Sequence, residues 1–210
     1  MMEKVLEKEN VLHMAIDNKN AVLQVELGWD EKEGSLKDQL RGRLEVATMG
    51  VSDKAFDLNL AAILLHSDGT EPELVCHESA NGRGYDVAGA VVLGPDDRTG
   101  RHSGSDEHLR VDLAKVPENV EKIVLFMNIH GANTVHQHLS DVENVFVQVQ
   151  NLEDCKVYLR EEAAFTCECA KDYCCYTFGA LVRENDGWTL QGMARYSCED
   201  NVHETLKAYQ

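Results

Sequence analysis

The chain has 210 residues, of which 43% are hydrophobic and 27% are charged, and its 37 acidic and 20 basic residues give a formal net charge of −17. Such a chain can bury a substantial core, which excludes wholesale disorder, and an acidic surface repels phosphate backbones, which excludes nucleic-acid binding. No apolar run is long enough for a membrane-spanning helix, and the charged N-terminus lacks the apolar segment of a secretory signal. We therefore predict a cytoplasmic protein without membrane insertion.

The apolar stretches are short and alternate with turn residues, which is typical of an all-β sandwich or barrel. The predicted strands, in chain order, are 22–28, 60–65, 89–93, 109–113, 123–129, 145–149, 175–182 and 188–196. The run 60–65 is almost continuously apolar, which predicts a strand covered on both faces. Asp186-Gly187 favours a hairpin between the last two strands. Short helices are predicted at 135–144 and 202–208, and we predict a single all-β domain over residues 1–210.

Oxygen-rich side chains stand before the strand at 60–65 and fill the loop after the strand at 89–93. Asp57 and Asn59 are two residues apart, so they share one side of an extended segment. Calcium binds several oxygen ligands on flexible backbone, although polar loops of this composition are also ordinary solvated turns. The spacing is not that of an EF-hand. The candidate ligands for a divalent cation are Asp57, Asn59, Asp96, Asp97, Asp106 and Glu107.

A cluster of cysteines is the rival site. The chain has seven cysteines, and four of them, Cys167, Cys169, Cys174 and Cys175, lie within nine residues. An odd number in a chain of this length argues against a disulfide framework, and the spacing is not that of a zinc site. The alternatives are core packing and a thiol redox or soft-metal site. In an extended segment the adjacent Cys174 and Cys175 would face opposite sides, so one of them should be exposed.

No catalytic constellation is apparent. The chain lacks the strained nucleophile elbow of hydrolases and the glycine-rich phosphate loop of nucleotide-binding enzymes. His130, His136 and His138 lie close together in sequence, but single histidines of this kind are usually ordinary hydrogen-bonding residues. We therefore predict a protein that is not an enzyme.

An ordered set of short motifs resembles the TerD family of tellurium-resistance and general-stress proteins. The motifs are Val25-Glu26-Leu27-Gly28-Trp29-Asp30, Phe56-Asp57-Leu58-Asn59, Asp96-Asp97-Arg98-Thr99-Gly100, Asp106-Glu107 and Phe178-Gly179-Ala180-Leu181-Val182-Arg183. The resemblance implies a two-sheet β-sandwich of TerD type, with calcium bound at the acidic motifs. It also implies a non-enzymatic stress or tellurium-resistance role, with protein partners in a stress complex.

Three departures from the family pattern lower the charge of the predicted calcium site. Asn59, Ser103 and Ser105 stand where the family has aspartate. Because calcium affinity depends partly on the number of charged ligands, a metal-free scaffold that keeps the fold is a further alternative. Residues 31–54 are longer than the family's loop at this place, and we predict that they form a loop insertion.

Overall fold

The computed structural model describes residues 5–8, 12–31, 56–77, 84–86, 88–96, 104–162, 172–199 and 201–210. The strands of this part are Val5–Lys8 (β1), His13–Ile16 (β2), Val22–Glu31 (β3), Leu58–His66 (β4), Glu73–Val75 (β5), Val91–Leu93 (β6), Glu107–Asp112 (β7), Val120–Ile129 (β8), Val142–Asn151 (β9), Val157–Glu162 (β10), Cys175–Glu184 (β11) and Gly187–Ser197 (β12). The helices are Ala132–Val135 (α1) and Val202–Lys207 (α2), with a 3-10 turn at Leu139–Asp141.

The strands form two antiparallel sheets. The large sheet has seven strands in the order β1-β12-β11-β8-β4-β5, and β2 also pairs with β12. The small sheet has five strands in the order β10-β9-β3-β7-β6. The prediction of an all-β, two-sheet sandwich with one or two short helices is confirmed.

The main core lies between the sheets, and a second apolar layer lies on the outer face of the large sheet. Alternation along β4 sends Leu60 into the main core and Ile63 into the outer layer, because successive side chains of a strand point to opposite faces. Helix α2 supplies Val202 to this outer layer. The prediction that the strand at 60–65 is covered on both faces is confirmed.

The predicted helix at 135–144 is wrong. Helix α1 ends at Val135, where His136 adopts a left-handed conformation with φ of 55°, and β9 begins at Val142. A left-handed residue stops a right-handed helix. The helix predicted at 202–208 is confirmed by α2, and the predicted hairpin is confirmed by the pairing of Glu184 with Gly187.

Residues 32–54 lie outside the described residues, so the loop insertion at 31–54 and the single domain over 1–210 stay predictions. Among the residues that the structure describes, no helix is long and apolar enough to cross a membrane.

Candidate cation site

Trp29 holds together the backbone segments that carry the predicted ligands. Its backbone N–H donates to Oδ2 of Asp106 at 2.9 Å, and its indole Nε1 donates to the carbonyl oxygen of Phe56 at 3.1 Å. Asp106 also donates its backbone N–H to the carbonyl oxygen of Leu27 at 2.9 Å. The end of β3 therefore fixes both the start of β7 and the residue that precedes Asp57.

Glu107 connects the two sheets. It is the first residue of β7 in the small sheet, yet its Oε2 accepts a hydrogen bond at 2.5 Å from the backbone N–H of Leu60 in the large sheet. This N–H is available because β5 pairs with β4 only from Ala62 to Leu64. Glu107 is only 1% exposed, and its other oxygen, Oε1, is buried and receives no hydrogen bond from an N–H or hydroxyl group among the described residues, while its side chain contacts the carboxyl group of Asp96. A buried carboxylate oxygen without a donor is costly, so Glu107 is stabilised either by a proton shared with Asp96 or by a cation beside it.

His77 and Asp96 approach Glu107 from two other chain segments. His77 follows β5, and Asp96 follows β6, which pairs with β7. One potential ligand atom from each of His77, Asp96 and Glu107 lies within 4.8 Å of the other two. His77 is half-buried and Asp96 is exposed, so the group is open to solvent on one side. We call Asp57, His77, Asp96 and Glu107 together the Glu107 site.

The charges of the Glu107 site repel one another. The pKa of Glu107 is raised to about 9, chiefly by burial. The hydrogen bond from Leu60 lowers it, while the negative charges of Asp96 and Asp57 raise it further. Carboxylates crowded in this way are stabilised when a positive charge lies among them.

The structure separates the six predicted ligands into groups. Asp57 and Asp96 both interact with Glu107 at the Glu107 site. Asp106 is 8% exposed, and its Oδ2 accepts the backbone N–H of Trp29, so this oxygen positions the strands, while the role of Asp106 as a ligand stays a prediction. The remaining two are Asn59, which is buried opposite Asn128 in the large sheet, and Asp97, which lies outside the described residues.

His77 was not predicted as a candidate ligand. The signal in the sequence is weak, since a single histidine follows a segment of three strand residues between turns. The pairing of β5 with β4 brings it to the carboxylate of Glu107, which itself accepts the N–H of Leu60.

The described cysteines of the rival cluster belong to the core. Cys174 packs in the main core and Cys175 in the outer layer, which confirms that they face opposite sides. The expectation that one of them is exposed is wrong, because both faces of the large sheet are covered there. Burial raises the pKa of Cys175 to about 11, although hydrogen bonds to Thr205 and Ser197 lower it. Cys167 and Cys169 lie outside the described residues.

Comparison with known proteins assigns the chain to a family. A profile of the TerD domain matches residues 2–209. The chain is 28% identical over 199 residues to tellurium resistance protein TerX of Serratia marcescens, covering 87% of each chain. It is 31% identical over 143 residues to general stress protein 16U of Bacillus subtilis, covering 66% of this chain and 69% of that protein.

Solved structures show the same fold. A homologue of telluride resistance protein TerD from Streptomyces coelicolor superposes with a TM-score of 0.65 and 19% identity, covering 87% of this chain and 94% of that chain. The TerD domain profile covers nearly the whole sequence, and the fold is that of a TerD homologue. The chain belongs to the TerD domain family.

Proposed function

We propose that this protein is a non-enzymatic, calcium-responsive binding protein of a stress or tellurium-resistance response. The names of its relatives, which include tellurium resistance and general stress proteins, support the biological role. The single observation that carries the calcium proposal is Oε1 of Glu107, a buried carboxylate oxygen beside two further carboxylates.

The carboxylates of the Glu107 site fit calcium in part. Calcium binds six to eight oxygens and accepts waters and backbone carbonyls among them. Asp57, Asp96 and Glu107 offer carboxylate oxygens, and the exposure of Asp96 leaves room for water. Asn59 and Ser105 contribute no charge where the family has aspartate, so we expect weaker binding than a fully acidic site would give.

Calcium at this place would act as a link between the sheets. Glu107 and Asp96 belong to the β6–β7 segment of the small sheet, whereas Asp57 stands at the start of β4 in the large sheet. An ion bound among them would join these segments and order the surface around them. A protein partner in a stress complex could then distinguish the calcium-bound form from the free form.

Thermal unfolding with and without calcium tests this proposal. A hundredfold excess of free calcium over its dissociation constant stabilises a one-site protein by about 2.7 kcal/mol. For a domain of this size that corresponds to a rise of roughly 5–10 °C in Tm. Glu107→Gln keeps an oxygen that accepts the Leu60 N–H but removes the charge, so it should abolish the rise. The matched control Glu184→Gln alters an exposed residue at the end of β11 and should keep it.

If millimolar calcium leaves the Tm of the wild-type protein unchanged, the metal-free scaffold is the better account. An equal rise in the wild-type protein and in Glu107→Gln would place calcium elsewhere in the chain.

A further inference from the structure

We propose that His77, Asp96 and Glu107 form a zinc site. Zinc would bind the imidazole of His77 together with the two carboxylates, whereas calcium would bind only the carboxylates. The inference rests on the proposed function in one respect, since Asp96 and Glu107 serve both ions. The zinc proposal differs from the calcium proposal in requiring His77 as a ligand.

The chemistry of the ligands favours zinc. Calcium takes oxygen ligands almost exclusively, so an imidazole nitrogen adds little to its binding. Zinc takes imidazole nitrogen and carboxylate oxygen together, and three such ligands with a water in the fourth position are a common arrangement. Two carboxylates and one imidazole are what these three residues supply.

The distances are close to those that zinc requires. The three ligand atoms lie within 4.8 Å of one another. Ligand atoms around a four-coordinate zinc stand roughly 3.4 Å apart, given bonds of about 2.0–2.2 Å. Small side-chain rotations would therefore suffice. Asp96 is exposed, so the ion can reach the site and keep a water.

Two buried atoms at this place have no N–H or hydroxyl partner in the part of the chain that the structure describes. One is Oε1 of Glu107, whose side chain has the carboxyl group of Asp96 beside it, and the other is Nε2 of His77. Buried polar atoms are nearly always hydrogen-bonded, so two of them on side chains that approach one another call for a ligand. Glu107 is held in place by Leu60, and His77 lies two residues after the short strand β5, which limits how far either side chain can move away.

The cysteine next to His77 in the sequence does not compete for this ion. Cys76, which precedes His77, is buried in the outer layer of the large sheet, on the face that α2 covers. The thiols of the chain must nevertheless be distinguished from the imidazole by experiment, because thiolates bind zinc well.

The test is a calorimetric titration of the metal-free full chain with zinc, repeated with cobalt(II) as a spectroscopic probe. We expect one zinc ion per chain and a cobalt spectrum without the charge-transfer band of a sulfur ligand. His77→Ala should weaken zinc binding by at least about 10–100-fold, since the loss of a residue that merely orients a ligand already costs that much. His77→Gln, which fills more of the same space, is a second variant for which folding is checked by circular dichroism. His13→Ala is the matched control, since His13 is exposed on β2 at the opposite edge of the large sheet.

Each outcome bears on the inference. Loss of zinc in both His77 variants with retention in His13→Ala supports it. Equal zinc binding in the wild type and the His77 variants, a sulfur band in the cobalt spectrum, or no zinc binding would overturn it. The rise in Tm on adding calcium tests the calcium proposal separately from the zinc proposal. His77→Gln should keep this rise, and Glu107→Gln should lose it. Zinc binding through His77 without any calcium response would overturn the calcium proposal alone.

Discussion

Gly28 is the position where a single methyl group should disturb the Glu107 site from a distance. Gly28 lies in β3 opposite Phe146, and a Cβ built on it would stand 2.2 Å from Cε1 of Phe146 and 2.7 Å from the carbonyl oxygen of Gly104. Contacts of this length do not occur in folded proteins, so Gly28→Ala must move one or both neighbours. The two neighbours differ in how readily they move.

The Phe146 ring is half-buried beneath the guanidinium of Arg160, whose carbon lies 4.7 Å from the ring centre, so the ring can swing outward at the expense of this contact. The Gly104 oxygen belongs to the backbone two residues before Asp106, which is tied to Trp29. Overpacking of this kind costs about 1–3 kcal/mol. We expect Gly28→Ala to lose that amount and to loosen the Asp106–Trp29 bond.

Urea unfolding gives the loss of stability, and amide hydrogen exchange at Trp29 reports on the bond to Asp106. Gly187→Ala is the control, because nothing lies within 4 Å of a Cβ added there. Adding Phe146→Ala to Gly28→Ala removes the ring contact but leaves the Gly104 contact, so it should restore only part of the stability. If Gly28→Ala unfolds at the same urea concentration as Gly187→Ala, the inference that Gly28 has no room for a methyl group is wrong.

Three further predictions concern other parts of the molecule. Burial raises the pKa of Cys175 to about 11, so this thiol should resist a bulky thiol reagent in the native state, while the exposed Cys155 should react quickly. Equal labelling of the two cysteines, measured by mass spectrometry, would contradict this prediction. Hydrogen bonds from Thr70 lower the pKa of exposed Asp68 to about 2, so the stability that they supply is present above about pH 4 and is lost as the pH falls toward 2. Asp68→Asn should therefore differ from the wild type in urea unfolding at pH 6 and converge with it near pH 2, and a constant difference would refute this. Arg183 donates to three backbone carbonyls at 2.8–3.1 Å, so Arg183→Ala should lower the free energy of unfolding by about 2–3 kcal/mol, and a change below about 0.5 kcal/mol would be inconsistent with those bonds.

The fold was predictable where the sequence carries a local signal. The continuous apolar run of β4 predicts a strand buried on both faces, and Asp186-Gly187 predicts the turn between β11 and β12. The short strands β1, β2 and β5 have three or four residues each, which is too few for a clear alternation. The prediction of a helix at 135–144 failed because His136 adopts a left-handed conformation, and a histidine does not signal this conformation in a sequence as a glycine would.

The candidate site was predictable in composition but not in arrangement. Asp106 and Glu107 are neighbours of equal charge, so the sequence offers no reason to treat them differently. Alternation along the start of β7 and the bond from Trp29 give Asp106 a positioning role, while Glu107 reaches across to Leu60. The hydrogen bond from Leu60 to Glu107 is possible because β5 does not extend far enough to pair with Leu60. Only the register of the large sheet reveals this. The same register brings His77 into the site.

The most direct test of the Glu107 site is the position of a bound cation in a crystal grown with millimolar calcium. We predict an anomalous difference peak about 2.3–2.6 Å from Oε1 of Glu107, with Asp96 among the other ligands and Oε2 still accepting the N–H of Leu60. A well-ordered site with no such peak, or a peak held by residues other than Asp57, Asp96 and Glu107, would contradict the account.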